Sequence, residues 1–219
     1  YRQLVLAAHP ELNAESLKLK ADLVYRKILH DYSRFSVSTI DGFVQKVISG
    51  FAKAMIIRTY AQSDVAELAK HSSIPIINAL TDDDHPTQLL ADWVTIREVF
   101  GKDVSGRKFT YVGDGNNMAH AWLTMGAIMG AHVVAATPAG KWAPDAAVIA
   151  KAKEIAAKSG ATIEVTTDAE AAAQGASVLY TDVWMSMGDP EAERTEKMKA
   201  LAPYAVTEKL MAMTEKDSI

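Results

Sequence analysis

The chain has 219 residues, 49% of them hydrophobic and 23% charged, which is enough apolar content to bury a core without staples and too much for a disordered tail. Lys and Arg total 23 against 27 Asp and Glu, a formal net charge of −4; this argues against a nucleic-acid binder held by a basic surface but not against anionic small molecules. Cys is 0, which removes disulfide scaffolds, thiolate zinc sites and cysteine nucleophiles and fits a reducing compartment, with the cytoplasm expected. No apolar run approaches the roughly 18 residues of a membrane span, and no basic stretch precedes an apolar one, so neither a span nor a signal peptide is expected. The sequence begins at Tyr1 rather than Met and is expected to be part of a longer reading frame.

Taken in chain order, the first fifty residues are polar and helix-like. Leu17, Leu19, Ala21, Val24, Ile28 and Leu29 recur near a 3.6 period, predicting a helix over 15–29. A short β-branched run at 35–40 and a second helix over 43–54 follow. From Ala54 the pattern turns into a βα series. The predicted strands are Met55–Arg58, Ile74–Asn78, Phe109–Gly113, His132–Ala136, Thr162–Thr166 and Val178–Asp182. The predicted helices are Ser63–Lys70, Pro86–Phe100, Met118–Gly130, Pro144–Ser159, Asp168–Gln174 and Glu191–Ala202. Short apolar strands that each feed a helix lie parallel, with both sheet faces covered and right-handed crossovers. The fold class expected is therefore α/β, a doubly wound, Rossmann-like parallel sheet preceded by a helical N-terminal segment.

In such sheets ligands bind beyond the carboxyl ends of the strands, so the residues just after each strand carry the chemistry. Arg58 ends the first strand, and the segment from Asp82 through His85 to Gln88 follows the second. Asp114-Gly-Asn-Asn117 follows the third, and Asp182 opens the segment to Gly188 after the sixth. Gly113-x-Gly115 is half of a dinucleotide fingerprint; the third glycine position holds Met118, and no acidic ribose partner stands near Pro138. Asn116 and Asn117 have two readings: caps of the helix that follows, or paired amides that bind a small zwitterion or carboxylate at a helix N-terminus. Arg58, His85 and Gln88 together offer a cation, an imidazole and an amide, a set suited to an oxyanion or a polarised carbonyl. Asp82-Asp83-Asp84 has the composition of a turn, and no second cluster accompanies it, so no metal is expected. Neither a Walker-type loop nor a G-x-S-x-G elbow occurs.

His85-Pro-Thr-Gln-Leu-Leu-Ala-Asp92, Val112-Gly-Asp-Gly-Asn-Asn-Met-Ala-His120 and Tyr180-Thr-Asp-Val-Trp-Met-Ser-Met-Gly188 resemble the signature blocks of the ornithine carbamoyltransferases. Ile57-Arg-Thr-Tyr60 and Pro75-Ile-Ile-Asn-Ala-Leu-Thr-Asp82 extend the likeness upstream, over about 54–214. The resemblance implies transfer of a carbamoyl group from carbamoyl phosphate to the δ-amine of ornithine, giving citrulline and phosphate, without cofactor or metal, in a homotrimer with shared sites. It assigns Arg58 and His85 to the carbamoyl carbonyl oxygen and Gln88 to the carbamoyl amide. It assigns Asn117, Asp182, Ser186 and the Met187 backbone to the α-amino and α-carboxylate groups of ornithine. The order of these blocks favours the ligand reading of the Asn pair over mere capping.

The sequence also departs from that family. The Ser-Thr-Arg-Thr loop that grips the phosphate is missing from the sequence, and the later His-Cys-Leu-Pro loop would fall beyond Ile219, so impaired activity is expected. His30 to Ile48 resembles a stretch of UvrD/RecB-type helicases around Ser-Thr-Ile-Asp-x-Phe, which suggests a join near Gly50 to Ala54. The domains expected are a helical segment over 1–53, a remnant of the carbamoyl-phosphate domain with its linking helix over 54–100, and an ornithine-binding domain over 101–219. Two rival readings remain: a catalytically silent module that binds an amino acid, and a Rossmann-type nucleotide binder resting on Gly113 and Gly115 alone.

Overall fold

The computed structural model describes residues 53–104, 106–185 and 190–219. The predicted helix over 15–29, the strand over 35–40, the helix over 43–54 up to residue 52, and the site candidates Ser186 and Met187 lie outside the described residues.

Two parallel sheets are built in succession. The first has two strands, β1 (Met55–Arg58) and β2 (Ile76–Leu80), joined through helix α1 (Gln62–His71). Helix α2 (Pro86–Phe100) then leads into a four-stranded sheet of β3 (Lys108–Val112), β4 (His132–Ala136), β5 (Thr162–Thr166) and β6 (Val178–Tyr180), in the order β5-β4-β3-β6. Every pairing is parallel. The connections carry α3 (Asn117–Met129), α4 (Ala146–Ser159) and α5 (Ala169–Ala173), and the chain continues after β6 through α6 (Arg194–Leu201) and α7 (Glu208–Met211). This is the doubly wound arrangement, and the strand order reverses between β3 and β6.

Alternation along the strands builds two cores, one on each face. Phe109, Tyr111, Val133 and Ala135 point to one side, under Trp122 and Leu123 of α3 and Leu89, Trp93 and Ile96 of α2. Val112, Val134 and Ala136 point to the other, against Ala169, Ala172 and Ala173 of α5 with Tyr204 and Leu210. Both faces are covered, which is why these strands read as nearly continuous apolar runs. Aromatic rings in tilted contact fill the first core: Trp93 lies 5.3 Å from Phe109, and Trp122 lies 5.0 Å from Tyr180. Through Leu89, Trp93 and Ile96, α2 belongs to the core of the larger sheet while its N-terminus follows β2.

Every strand and helix predicted within the described series is present, with boundaries that shift for local reasons, while α7 and the 3₁₀ turn at Gly140–Trp142 have no counterpart among the predicted elements. β2 starts at Ile76 rather than Ile74. Pro75 has no N–H to give and only its carbonyl joins the ladder, accepting from Met55 N at 2.9 Å, while Ser72 Oγ turns back on the Ile74 carbonyl. β6 ends at Tyr180 rather than Asp182, where its ladder with Phe109–Tyr111 of β3 stops. The helix expected over Glu191–Ala202 is divided: a 3₁₀ turn at Glu191–Glu193, then α6, then a 3₁₀ turn at Ala202–Tyr204 that contains Pro203. Asp145 and Asp168 sit outside their helices as N-caps, accepting from Ala147 N and Ala171 N, so α4 and α5 are shorter than the pattern suggests.

Candidate active site

The turn between β3 and α3 forms the floor of the site, and its shape is set by glycine. Gly113 has φ +146°, and a Cβ on Gly115 would lie 2.3 Å from the Ala143 carbonyl carbon and the Pro144 nitrogen. Gly115 N donates to the Trp142 carbonyl at 2.9 Å. The glycine that resembled a nucleotide fingerprint is thus required by close approach of the 142–144 backbone. Tyr111 sends its hydroxyl from the core to the Asp114 carbonyl at 2.8 Å and to Asn116 Oδ1 at 3.3 Å. Burial, then the Asp182 and Asp114 charges, push this phenol far up, so it stays a donor.

The Asn pair divides its work. Asn116 caps α3, its Oδ1 accepting from Met118 N at 3.0 Å and Ala119 N at 3.4 Å. Its amide nitrogen approaches Asp182 Oδ2 at 3.5 Å, across the gap between the ends of β3 and β6. Asn117 does not cap. Its Nδ2 donates 2.8 Å to the carbonyl of Thr81, a fully buried residue at the end of β2. The capping reading thus holds for Asn116 alone, and Asn117 instead ties the turn to the end of β2.

The first sheet's end is braced and tied to this floor by further bonds. Thr81 Oγ1 donates to Gln62 Oε1 at 2.7 Å, and Asn78 Nδ2 reaches the same oxygen at 3.2 Å. His120 of α3 bridges two loops. The Asp145 N–H donates to its Nε2 at 2.9 Å, so the ring proton sits on Nδ1 and donates to the Asp83 carbonyl, also at 2.9 Å.

Between these ends opens a cleft of about 900 Å³ whose lining includes Arg58, His85, Gln88, Asn117, Tyr180 and Asp182. Five of the seven candidates taken from the sequence meet in this one cavity, and the other two are Ser186 and Met187. Arg58 is exposed at the end of β1 just past a register shift between Ile57 and Arg58. His85 is fixed by Pro86 at the first position of α2, and its Nδ1 lies 3.5 Å from Thr87 Oγ1, a hydroxyl already donating to the Ala79 carbonyl at 2.8 Å. Burial first, and the Arg58 guanidinium second, hold His85 below its ordinary range against the raising effect of Asp182, Asp84 and Asp92. A neutral imidazole is thereby favoured beside a permanent cation. Gln88 stands one helical turn along, its Nε2 bonded to Asp92 Oδ1 at 2.9 Å.

Three structural contributors escaped the sequence reading. Thr81 carries no motif value and works through its backbone carbonyl. Tyr180 opens one of the signature blocks and lies within a predicted strand, but neither feature marks it as lining the cleft. Lys197 of α6 is 3% exposed at its side chain and pairs with Asp114 at 2.6 Å, at 5.2 Å from the Trp142 ring; an isolated lysine in a helix with many charges gives no signal of burial. Among the described residues no group of His, Asp or Glu could hold a metal ion, and no helix is long and apolar enough to cross a membrane.

A parallel α/β sheet with a polar cleft at the strand-order reversal places this chain among the doubly wound α/β proteins, whose ligand sites lie at the carboxyl ends of the strands. Residues 105–219 match the Asp/Orn binding domain of aspartate/ornithine carbamoyltransferase, and residues 36–98 match its carbamoyl-P binding domain. The chain belongs to the aspartate/ornithine carbamoyltransferase family. It is 51% identical over 174 residues to an ornithine carbamoyltransferase of Oceanobacillus iheyensis, covering 80% of this chain and 53% of that one. It is 50% identical over 172 residues to an ornithine carbamoyltransferase of Anoxybacillus flavithermus, covering 78% and 54%. The solved ornithine carbamoyltransferase of Pyrococcus furiosus superposes with a TM-score of 0.74 at 42% identity, over 85% of this chain and 58% of that one. The chain thus spans about half the length of the curated relatives it matches.

Proposed function

We propose that the cleft transfers a carbamoyl group from carbamoyl phosphate to the δ-amine of ornithine, giving citrulline and phosphate. The observation that carries this reading is the single cavity into which Arg58, His85 and Gln88 from the first sheet's end meet Asn117 and Asp182 from the second's. Arg58 and a neutral His85 polarise the carbamoyl carbonyl oxygen, and Gln88 takes the carbamoyl amide. Asp182 neutralises the α-ammonium of ornithine. Asn117, whose amide nitrogen is committed to Thr81, offers its carbonyl oxygen as an acceptor, and Ser186 with the Met187 backbone completes the amino-acid subsite. No covalent intermediate is required: the site positions an amine against an activated carbonyl and stabilises the oxyanion that develops.

The citrulline-forming direction is that of arginine biosynthesis. A homotrimer with sites shared between neighbouring subunits, located in the cytoplasm, belongs to the same proposal, with sedimentation velocity as the check on assembly. The domain division over 1–53, 54–100 and 101–219 is part of it too. Because the sequence has no Ser-Thr-Arg-Thr segment to grip phosphate, turnover is expected to be slow. The deciding experiment is citrulline production by the purified chain from ornithine and carbamoyl phosphate, with Asp182→Ala as the control. Slow formation that the substitution abolishes supports the proposal, and formation that survives it rejects the site assignment. Absence of turnover with calorimetric binding of norvaline, an uncharged ornithine mimic, selects the silent amino-acid-binding reading; tight NAD binding alone overturns both.

A further inference from the structure

Asp92 lies on α2 one turn beyond Gln88, and its Oδ1 accepts the Gln88 Nε2 hydrogen bond at 2.9 Å. A carboxylate accepts and does not donate, so it holds the NH₂ end of the Gln88 amide; turning that amide over would set two acceptors against each other. The opposite end, Oε1, is left for the cavity that Gln88 lines. Asp92 is itself braced. Leu89 and Trp93 on the same turns are buried in the main core, and the Tyr180 hydroxyl of β6 interacts with the carboxylate. The Gln88 amide and the Tyr180 hydroxyl thus hold the carboxylate from two sides.

Resting on the carbamoyl-phosphate reading above, we propose that Asp92 is a positioning residue that fixes which end of the Gln88 amide faces the ligand, and that the site thereby selects a transferable group carrying an N–H donor, carbamoyl over acetyl. The two groups are nearly equal in size, NH₂ replacing CH₃, so shape discriminates poorly between them. A fixed acceptor discriminates well, because a methyl group leaves it desolvated and unpaired. Asn in place of Asp92 keeps the volume but presents a donor as readily as an acceptor, so Gln88 is released to turn over.

The test is calorimetric titration of the full chain, D92N and D92E with carbamoyl phosphate, acetyl phosphate and inorganic phosphate. The unsubstituted chain is expected to prefer carbamoyl over acetyl phosphate by about tenfold, the size of one hydrogen bond. D92N is expected to lose most of that ratio while its affinity for inorganic phosphate stays unchanged. D92E, which keeps an acceptor-only group on the same helical face, is expected to retain it. A direct readout accompanies this: the Gln88 side-chain amide resonances should move in D92N and not in D92E, at an unchanged melting temperature. A carbamoyl preference intact in D92N overturns the role of Asp92. A chain with no carbamoyl preference before any substitution overturns the underlying reading of the site, and this inference with it.

Discussion

At the residue scale the site depends on keeping one imidazole neutral beside a guanidinium. His85 is held below 6.5 mainly by burial and then by Arg58, so R58Q should raise its titration midpoint only part of the way back, as followed by the ring resonances over pH. The stability consequence has a definite sign. Above 6.5 the imidazole is neutral in both folded and unfolded chains and contributes nothing. As pH falls through 6.5 the unfolded chain takes up the proton first, so stability to urea declines. H85Q removes that component of the decline, and an unchanged pH profile in the variant would contradict the assignment. Arg58, His85 and Gln88 were legible in the sequence because each follows a strand end or opens a helix. The role of Thr81 was not, since a backbone carbonyl that receives Asn117 Nδ2 at 2.8 Å has no side-chain signature.

At the element scale, the β3–α3 turn is the part on which the rest of the cleft is hung. Its sequence announced glycine and asparagine, but the reason for Gly115 came only from the 142–144 segment lying against it. Gly115→Ala forces a methyl group to 2.3 Å from that backbone and is expected to cost at least about 2 kcal/mol in urea unfolding, because neither backbone can yield cheaply. Downstream, α6 is joined to the same turn by the Lys197–Asp114 pair, whose side chains are 3% and 6% exposed. Lys197→Met leaves a buried carboxylate without its ammonium and is expected to cost about 3–5 kcal/mol, with D114N in the same chain restoring much of the loss. Chemical denaturation of the single and double variants measures both. The helix pattern over Glu191–Ala202 located α6 but could not place a lysine indoors, since that depends on where Asp114 lies in space. The boundary shifts at β2 and β6 are settled by which backbone groups can pair: Pro75 has no N–H for the ladder, and the ladder of β6 with β3 stops at Tyr180.

At the scale of the whole molecule, stability and binding are housed in different layers and are separable. Phe109 is fully buried between Trp93 and Trp122, and Phe109→Ala should cost about 3–5 kcal/mol. Asp182 lines the cleft rather than the core, so D182A should leave unfolding unchanged while it removes norvaline binding; calorimetry and denaturation on the same two proteins decide this. The sequence by itself determined the parallel α/β class, the order of its elements and the residue types at the strand ends, because period, capping and turn chemistry are local. Only the tertiary structure decided which ends share a cleft, and that Asn116 caps while Asn117 reaches across to β2. Those outcomes depend on strand order and on contacts between residues far apart in the chain, and no window along the sequence contains both partners.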